Sequence, residues 1–185
     1  LINSYILSFL NESKSMKVST ARSGNVIGGG DYSKERLVPD ILKAFNKNRP
    51  LTVRNPDHVR PWQHVLEPLY GYLLLAEKQF LNKISKLDHS WNFGPKKRCF
   101  ITVKQVINKF KSQKMIKKVL IKRNKNIETK ILKLNSRKAI KYLNWKQKWN
   151  IDQTVKKISE WNILTNKSKN YRKICENQII KYLEN

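Results

Sequence analysis

The sequence has few acidic residues, few cysteines and histidines, and no long apolar run. Its 185 residues carry 13 Asp+Glu against 39 Lys+Arg, a formal charge of +26. Such a surplus raises nucleic-acid binding as a function class, because lysines and arginines displace counterions from phosphates. The distribution argues against a specific nucleic-acid partner. Lysines are scattered from Lys14 to Lys181, and the densest segment, KMIKKVLIKRNKNIETK, holds no aromatic stacking residue. Non-specific attraction to phosphate is the expectation. Cys99 and Cys175 form no CxxC pair, and His58, His64 and His89 stand at no metal-ligand spacing with them, so no zinc site is expected. Reduced thiols in an intracellular protein fit better than a disulfide framework, with a single bridge left open. The longest apolar stretch, around Leu69 to Ala76, is too short to span a membrane, and there is no basic leader with a cleavage site. A soluble, cytoplasmic chain with no membrane partner is expected, with one compact domain around one core.

The remainder is organised around Ala21 to Asp40, ARSGNVIGGGDYSKERLVPD. Val18 to Arg22 reads as a strand, Gly24 and Gly28-Gly29-Gly30 as a loop able to approach a ligand, and Pro39 suits the first turn of a helix. Asn25, Asp31, Lys34, Glu35 and Arg36 make this loop a candidate for ligand contact, although a glycine-rich connection without a role reads the same way. Upstream, Ile2, Tyr5, Ile6, Phe9 and Leu10 recur at helical spacing with no cap before them. That pattern is expected of a helix entered midway, in a truncated chain.

Strands and helices then alternate. A strand from Lys17 to Arg22 and a helix from Leu37 to Asn46 lead to a short strand, Leu51 to Arg54, and an extended piece, Arg60 to His64. A helix from Glu67 or Pro68 to Phe80 carries apolar residues on more than one face and is predicted to be buried on two sides. Trp91 to Phe93 reads as a strand, Thr102 as the cap of a helix through Phe110, and Val119 to Ile121 and Ile131 to Leu134 as strands. Ser136 is a candidate cap for a helix over Arg137 to Leu143. Helices from Ile151 to Ile163 and from Tyr171 to Leu183 close the chain. No repeat separates these pieces, which implies an α/β layered architecture.

RSGNVIGGGDYSKERLVPDI, RNPDHVRPWQHVLEPLYGYLLLAEK, WNFGP and LKLNSRKAIKYLNW together resemble the C-terminal part of the CDP-glucose 4,6-dehydratase family, within the extended short-chain dehydrogenase/reductase superfamily. RxxNVxG with a later WNFGP occurs in many extended members, whereas the long string through RPWQHVLEPL points to this activity. The resemblance implies late strands of a Rossmann-type sheet plus the smaller α/β substrate-binding domain, with the N-terminal Rossmann portion missing. Residues 1–36 would be the tail of the active-site helix, a late strand and the glycine loop; residues 37–185 would be the substrate-binding region, interleaved with the Rossmann part. It further implies an NAD-dependent lyase converting CDP-glucose to CDP-4-keto-6-deoxyglucose with the cofactor recycled, on the way to deoxysugars of surface polysaccharide such as O-antigen. Full-length members are expected to be homodimers joined through the helix begun here, which would leave Ile2, Tyr5, Ile6 and Phe9 exposed. Another extended member acting on nucleotide sugars, an epimerase or a GDP- or dTDP-sugar dehydratase, is the alternative. A basic nucleic-acid module or a vestigial fragment are readings of other classes.

The family's catalytic Tyr-x-x-x-Lys is expected upstream of Leu1, so no catalytic residue is assigned within the chain. Tyr142 and Lys146 have that spacing but straddle a helix end, and GNVIGGGD lacks the glycine spacing of the dinucleotide fingerprint. Arg60, braced by Pro61-Trp62, suits the diphosphate, since a guanidinium makes paired, charge-assisted bonds to phosphate. By residue-by-residue match, Asn25 is expected to contact the substrate, and Arg36 and Leu37 to line the nucleotide. Thr52, Val53 and Arg54 are expected against the base or ribose, and Asn92 on the phosphate side. Ser23 and Gly24 are candidates for the nicotinamide of NAD, while Trp62 and His64 are expected to pack.

Overall fold

A computed structural model describes residues 2–10, 17–84, 90–122 and 129–184. His89 and the centre of the basic segment lie outside the described residues. Helix α1 (Ile2–Tyr5) runs into a π-helical turn over Ile6–Leu10. There follow β1 (Thr20–Ser23), β2 (Asn25–Ile27), α2 (Leu37–Asn46), β3 (Leu51–Val53), β4 (Val59–His64) and α3 (Leu66–Phe80). The second half comprises β5 (Ser90–Phe93), β6 (Phe100–Thr102), α4 (Val103–Ser112), β7 (Val119–Ile121), α5 (Arg137–Leu143), α6 (Ile151–Lys167) and α7 (Tyr171–Leu183). The chain is mixed α/β, with parallel strand pairs, as expected.

Among the described residues the strands form three small sheets. β1 pairs in parallel with β5, β2 in parallel with β4, which is antiparallel to β6, and β3 in parallel with β7. The strand expected to end at Arg22 runs to Ser23, and where a loop was expected a second strand, β2, follows it in another sheet. Gly24 is the crossing point, because a Cβ there would lie 2.6 Å from the Pro61 carbonyl oxygen of β4. Gln63 ties the two sheets, its side-chain amide donating to the Phe93 carbonyl at 2.7 Å.

Among the described residues two clusters stand where a single core was expected. Ile41, Leu51, Trp62, Phe110 and Ile158 centre a cluster beneath α2, α4 and α6, while Leu75, Trp91, Phe93, Leu143 and Trp145 join α3, β5 and α5. The division follows from the sheet break at Gly24, which gives each sheet its own apolar face to cover. In the second cluster Gly71 lets α3 sit on Phe93, since a Cβ at that position would come within 2.3 Å of the ring.

Local signals set most helix ends. Thr102 and Asn150 each complete a reciprocal capping box, with Gln105 and Gln153, at the starts of α4 and α6. Several expectations fail for reasons of packing. Ser136 stands at the cap position of α5, but its hydroxyl accepts no helix amide and donates to the Gly94 carbonyl at 2.9 Å. The strand expected over Ile131 to Leu134 reduces to one bridge, Val59 to Ile131. α6 continues past Ile163 to Lys167, where Thr165 bonds back to the Trp161 carbonyl. α3 is not buried on two sides: Glu67, Pro68, Gly71 and Leu75 face inward, while Leu69, Leu73 and Phe80 are exposed. At the other end Ile2, Tyr5 and Phe9 are exposed, but Ile6 is buried.

Glu67, wholly buried, links α3 to the C-terminal helix. It accepts from the Trp149 amide at 2.8 Å, the Lys148 amide at 3.1 Å and the Tyr182 hydroxyl at 2.9 Å. Burial pushes its carboxyl above the usual range, and the three donors act in the opposite direction. Among the described residues no helix is long and apolar enough to cross a membrane.

Candidate functional site

A cleft of about 930 Å³ opens where β1 gives way to β2, between the start of α2 and the strands β3 and β4. The carboxyl end of β1 supplies Ser23, and the crossing to β2 supplies Gly24 and Asn25. Loop residues Asp31, Glu35 and Arg36 and the first turn of α2 form one wall; Thr52, Val53, Arg54, His58 and Arg60 form the other. The start of α2 has no side-chain cap, Arg36 occupying the cap position in extended geometry. Pro39 carries no amide and that of Asp40 bonds the Arg36 carbonyl, which leaves Leu37 and Val38 as the first-turn amides without an intrahelical acceptor, on a wall where an anion is favoured.

The glycine triplet has a different role from the one expected. Gly29 lies flat on Trp161 of α6, where a Cβ would come within 2.2 Å of the ring, and a Cβ on Gly28 would come within 2.9 Å of Val65. Gly30 has φ +79°. None of the three lines the cleft. Their missing side chains seat the loop on α6 and thereby aim Asp31, Glu35 and Arg36 at the cavity.

The cleft mixes charges. Arg54 bonds the Glu35 carboxylate at 3.3 Å and the Glu35 carbonyl at 3.1 Å, an exposed pair that pins the loop across β3. Glu35 is left-handed at φ 60°. The Arg60 guanidinium bonds the carbonyls of Val59 at 2.9 Å and Lys130 at 3.3 Å, and lies 3.1 Å from His58 Nδ1. Two of its nitrogens are thus oriented at the edge of the cavity, which Arg60 lines. Asp31 is held below the usual carboxylate range by the Ser33 hydroxyl and amide, while burial raises Asp40.

Of the residues expected from the sequence, Ser23, Gly24, Asn25, Arg36, Leu37, Thr52, Val53, Arg54 and Arg60 all line this one cleft. Asn92 stands apart on β5, its side chain accepting from Arg22 at 3.1 Å and donating to the Asn135 carbonyl at 3.2 Å. Trp62 packs and also touches the cleft, its indole donating to the Ile101 carbonyl at 3.0 Å. His64 is buried; its Nδ1 accepts from the Leu66 amide at 3.2 Å and its ring meets Trp149 edge-on. Burial depresses its pKa to about 3, so it is neutral. Tyr142 and Lys146 lie away from the cleft, separated by the left-handed Asn144 that ends α5.

Asp40, His58 and Leu132 line the cleft without having been singled out. Two of them carried a signal. Asp40 follows Arg36 by one helical turn, its amide donating to the Arg36 carbonyl, and His58 precedes Arg60 by two, as side chains on one side of extended chain do. Leu132 arrives from a remote segment, and nothing local announces it.

No family model matches the chain. It is 38% identical over 152 residues to CDP-glucose 4,6-dehydratase of Salmonella typhimurium, an alignment covering 81% of this chain and 42% of that protein. Among solved structures, UDP-glucuronic acid 4-epimerase of Bacillus cereus superposes with a TM-score of 0.72 at 13% identity, covering 87% of this chain and 48% of the epimerase. The dTDP-glucose 4,6-dehydratase of Bacillus anthracis, solved with NAD, superposes with a TM-score of 0.71 at 16% identity, covering 93% and 50%. The chain thus has the fold of about half of these Rossmann-type enzymes.

Proposed function

We propose, the chain being a relative of CDP-glucose 4,6-dehydratase with the fold of nucleotide-sugar dehydratases and epimerases, that it supplies the nucleotide-sugar half of a 4,6-dehydratase site. The observation that carries this reading is the gathering of Arg36, Arg54 and Arg60 with Asn25 and Thr52 around one cleft beside an uncapped helix start. Arg60 and the first amides of α2 would hold the diphosphate, Leu37, Thr52 and Val53 would flank the base and ribose, and Asn25 would meet the hexose. The substrate would be CDP-glucose, the product CDP-4-keto-6-deoxyglucose, for deoxysugars of surface polysaccharide.

If NAD is held here, the chemistry it would supply is that of a hydride acceptor. Ser23, at the carboxyl end of a parallel strand and open to the cleft, fits a contact to its carboxamide. Gly24 and Gly28 to Gly30 are committed to Pro61, Val65 and Trp161 and form no cradle for its phosphates. Among the described residues no tyrosine or lysine lines the cleft. The family's Tyr-x-x-x-Lys chemistry would therefore come from outside the described residues, and a homodimer would use the exposed Ile2, Tyr5 and Phe9.

Calorimetric titration with CDP-glucose tests the reading. Saturable binding with a stoichiometry of one, only weakly matched by ATP or inorganic phosphate, is expected. Equal affinity for all three, falling steeply with salt, would replace it with the basic-module reading.

A further inference from the structure

Asp40 stands out among the three carboxylates of the cleft. Asp31 accepts from the Ser33 amide and Glu35 is paired with Arg54. The Asp40 carboxylate is half-buried in the first turn of α2 and has no hydrogen bond or ion pair among the described residues. A desolvated carboxylate without a donor is costly, and it becomes favourable when a ligand brings an N–H to it. Its place is specific. With Thr52 and Arg54 it lies on the wall shared by the cleft and a neighbouring cavity of about 740 Å³, so it faces open space rather than core.

This inference rests on the nucleotide-sugar reading and concerns how the base is told apart. Cytosine presents an amine donor at N4 beside acceptors at N3 and O2; uracil presents an acceptor at O4 in the same place. A carboxylate accepts from the first and repels the second. Arg54, two of whose N–H groups are engaged by Glu35, keeps others for the acceptor side of the ring. We propose that Asp40 is the specificity-determining residue of the site, accepting the N4–H of a cytosine held between Leu37 and Thr52, so that cytidine diphosphate sugars are selected over uridine diphosphate sugars.

The test is a set of dissociation constants for CDP-glucose and UDP-glucose, measured on the protein and on Asp40→Asn. An amide at that position can donate to uracil O4 as readily as it accepts from cytosine N4. A preference for CDP-glucose of about tenfold or more is expected to shrink to about threefold or less, chiefly through tighter UDP-glucose binding. A pyrimidin-2-one nucleoside diphosphate, which lacks N4, needs no variant and is expected to bind the unaltered protein about tenfold more weakly than CDP. An unchanged preference in Asp40→Asn, or equal binding of the pyrimidin-2-one nucleotide and CDP, overturns the assignment and leaves Asp40 as a complement to the α2 dipole. Failure of the unaltered protein to bind either sugar nucleotide overturns the functional reading itself.

Discussion

Replacing Tyr182 with phenylalanine removes one hydroxyl from the joint that fastens α7 and leaves the rest of its packing in place. The ring keeps its edge-on contacts with Trp149 at 5.1 Å and Tyr70 at 6.0 Å. What is lost is the 2.9 Å bond to Glu67, a carboxylate with no solvent exposure. A hydrogen bond to a buried charge contributes about 1.5–3 kcal/mol, because its removal leaves part of the charge unsolvated. At about 2–4 °C per kcal/mol for a chain of this size, Tm at pH 7 falls by about 3–12 °C. The pH dependence supplies a second check. Burial raises the folded pKa of Glu67 above its usual value, so the stability this group permits is fullest below about 4.5 and is lost as pH rises through the folded pKa. Removing a donor to the ionised form raises that pKa further, so the damage is largest at neutral pH and shrinks in acid. Chemical denaturation of both proteins at pH 7 and pH 4 measures the difference. A loss below about 0.5 kcal/mol at pH 7, the ordinary range for a surface change, or a larger loss at pH 4, would refute the argument.

Four further outcomes are expected. His64 has a folded pKa of about 3 against 6.5 unfolded, so stability falls as pH drops from about 6.5 toward 3, with a slope of up to about 1.4 kcal/mol per pH unit. In His64→Gln that slope should flatten, and an identical pH profile would sink the idea. Gly29→Ala forces a Cβ against Trp161 and should cost about 1–3 kcal/mol, read by urea denaturation, with weaker CDP-glucose binding as the loop lifts. Arg60→Ala should weaken CDP-glucose binding by tenfold or more, the loss of a charge-assisted bond, and unchanged affinity by calorimetry would remove Arg60 from the site. With NAD and CDP-glucose the purified chain should form no 4-keto sugar, and a measurable absorbance of that product would show that the catalytic groups lie within it.

How much could be read in advance depended on how local each cause was. α2, α5 and α7 begin and end where periodicity and breakers placed them, and Thr102 caps α4 as its spacing to Gln105 implies. The residues matched to the family's site, Asn92 aside, come together in one cleft although they lie on β1, β2, α2, β3 and β4. Asn92 has the right strand but a competing neighbour: the parallel register places it opposite Arg22, which takes its side-chain oxygen. Ser136 holds the cap position of α5, but its hydroxyl is turned to donate to the Gly94 carbonyl, remote in sequence, and the Arg137 amide goes to the Asn135 side chain.

By itself the sequence determined the α/β class and the ends of most helices, since turn chemistry, capping and apolar spacing act over a few residues. Only the tertiary structure decided that the strand breaks at Gly24 and that the glycine triplet meets Trp161 rather than a ligand. It alone decided that Glu67 takes its donors from Trp149, Lys148 and Tyr182 and that Asp40 has none among the described residues. Each of those outcomes depends on which remote backbone or ring occupies the space beside a residue, and a polar atom's partner is settled by that competition rather than by its own identity.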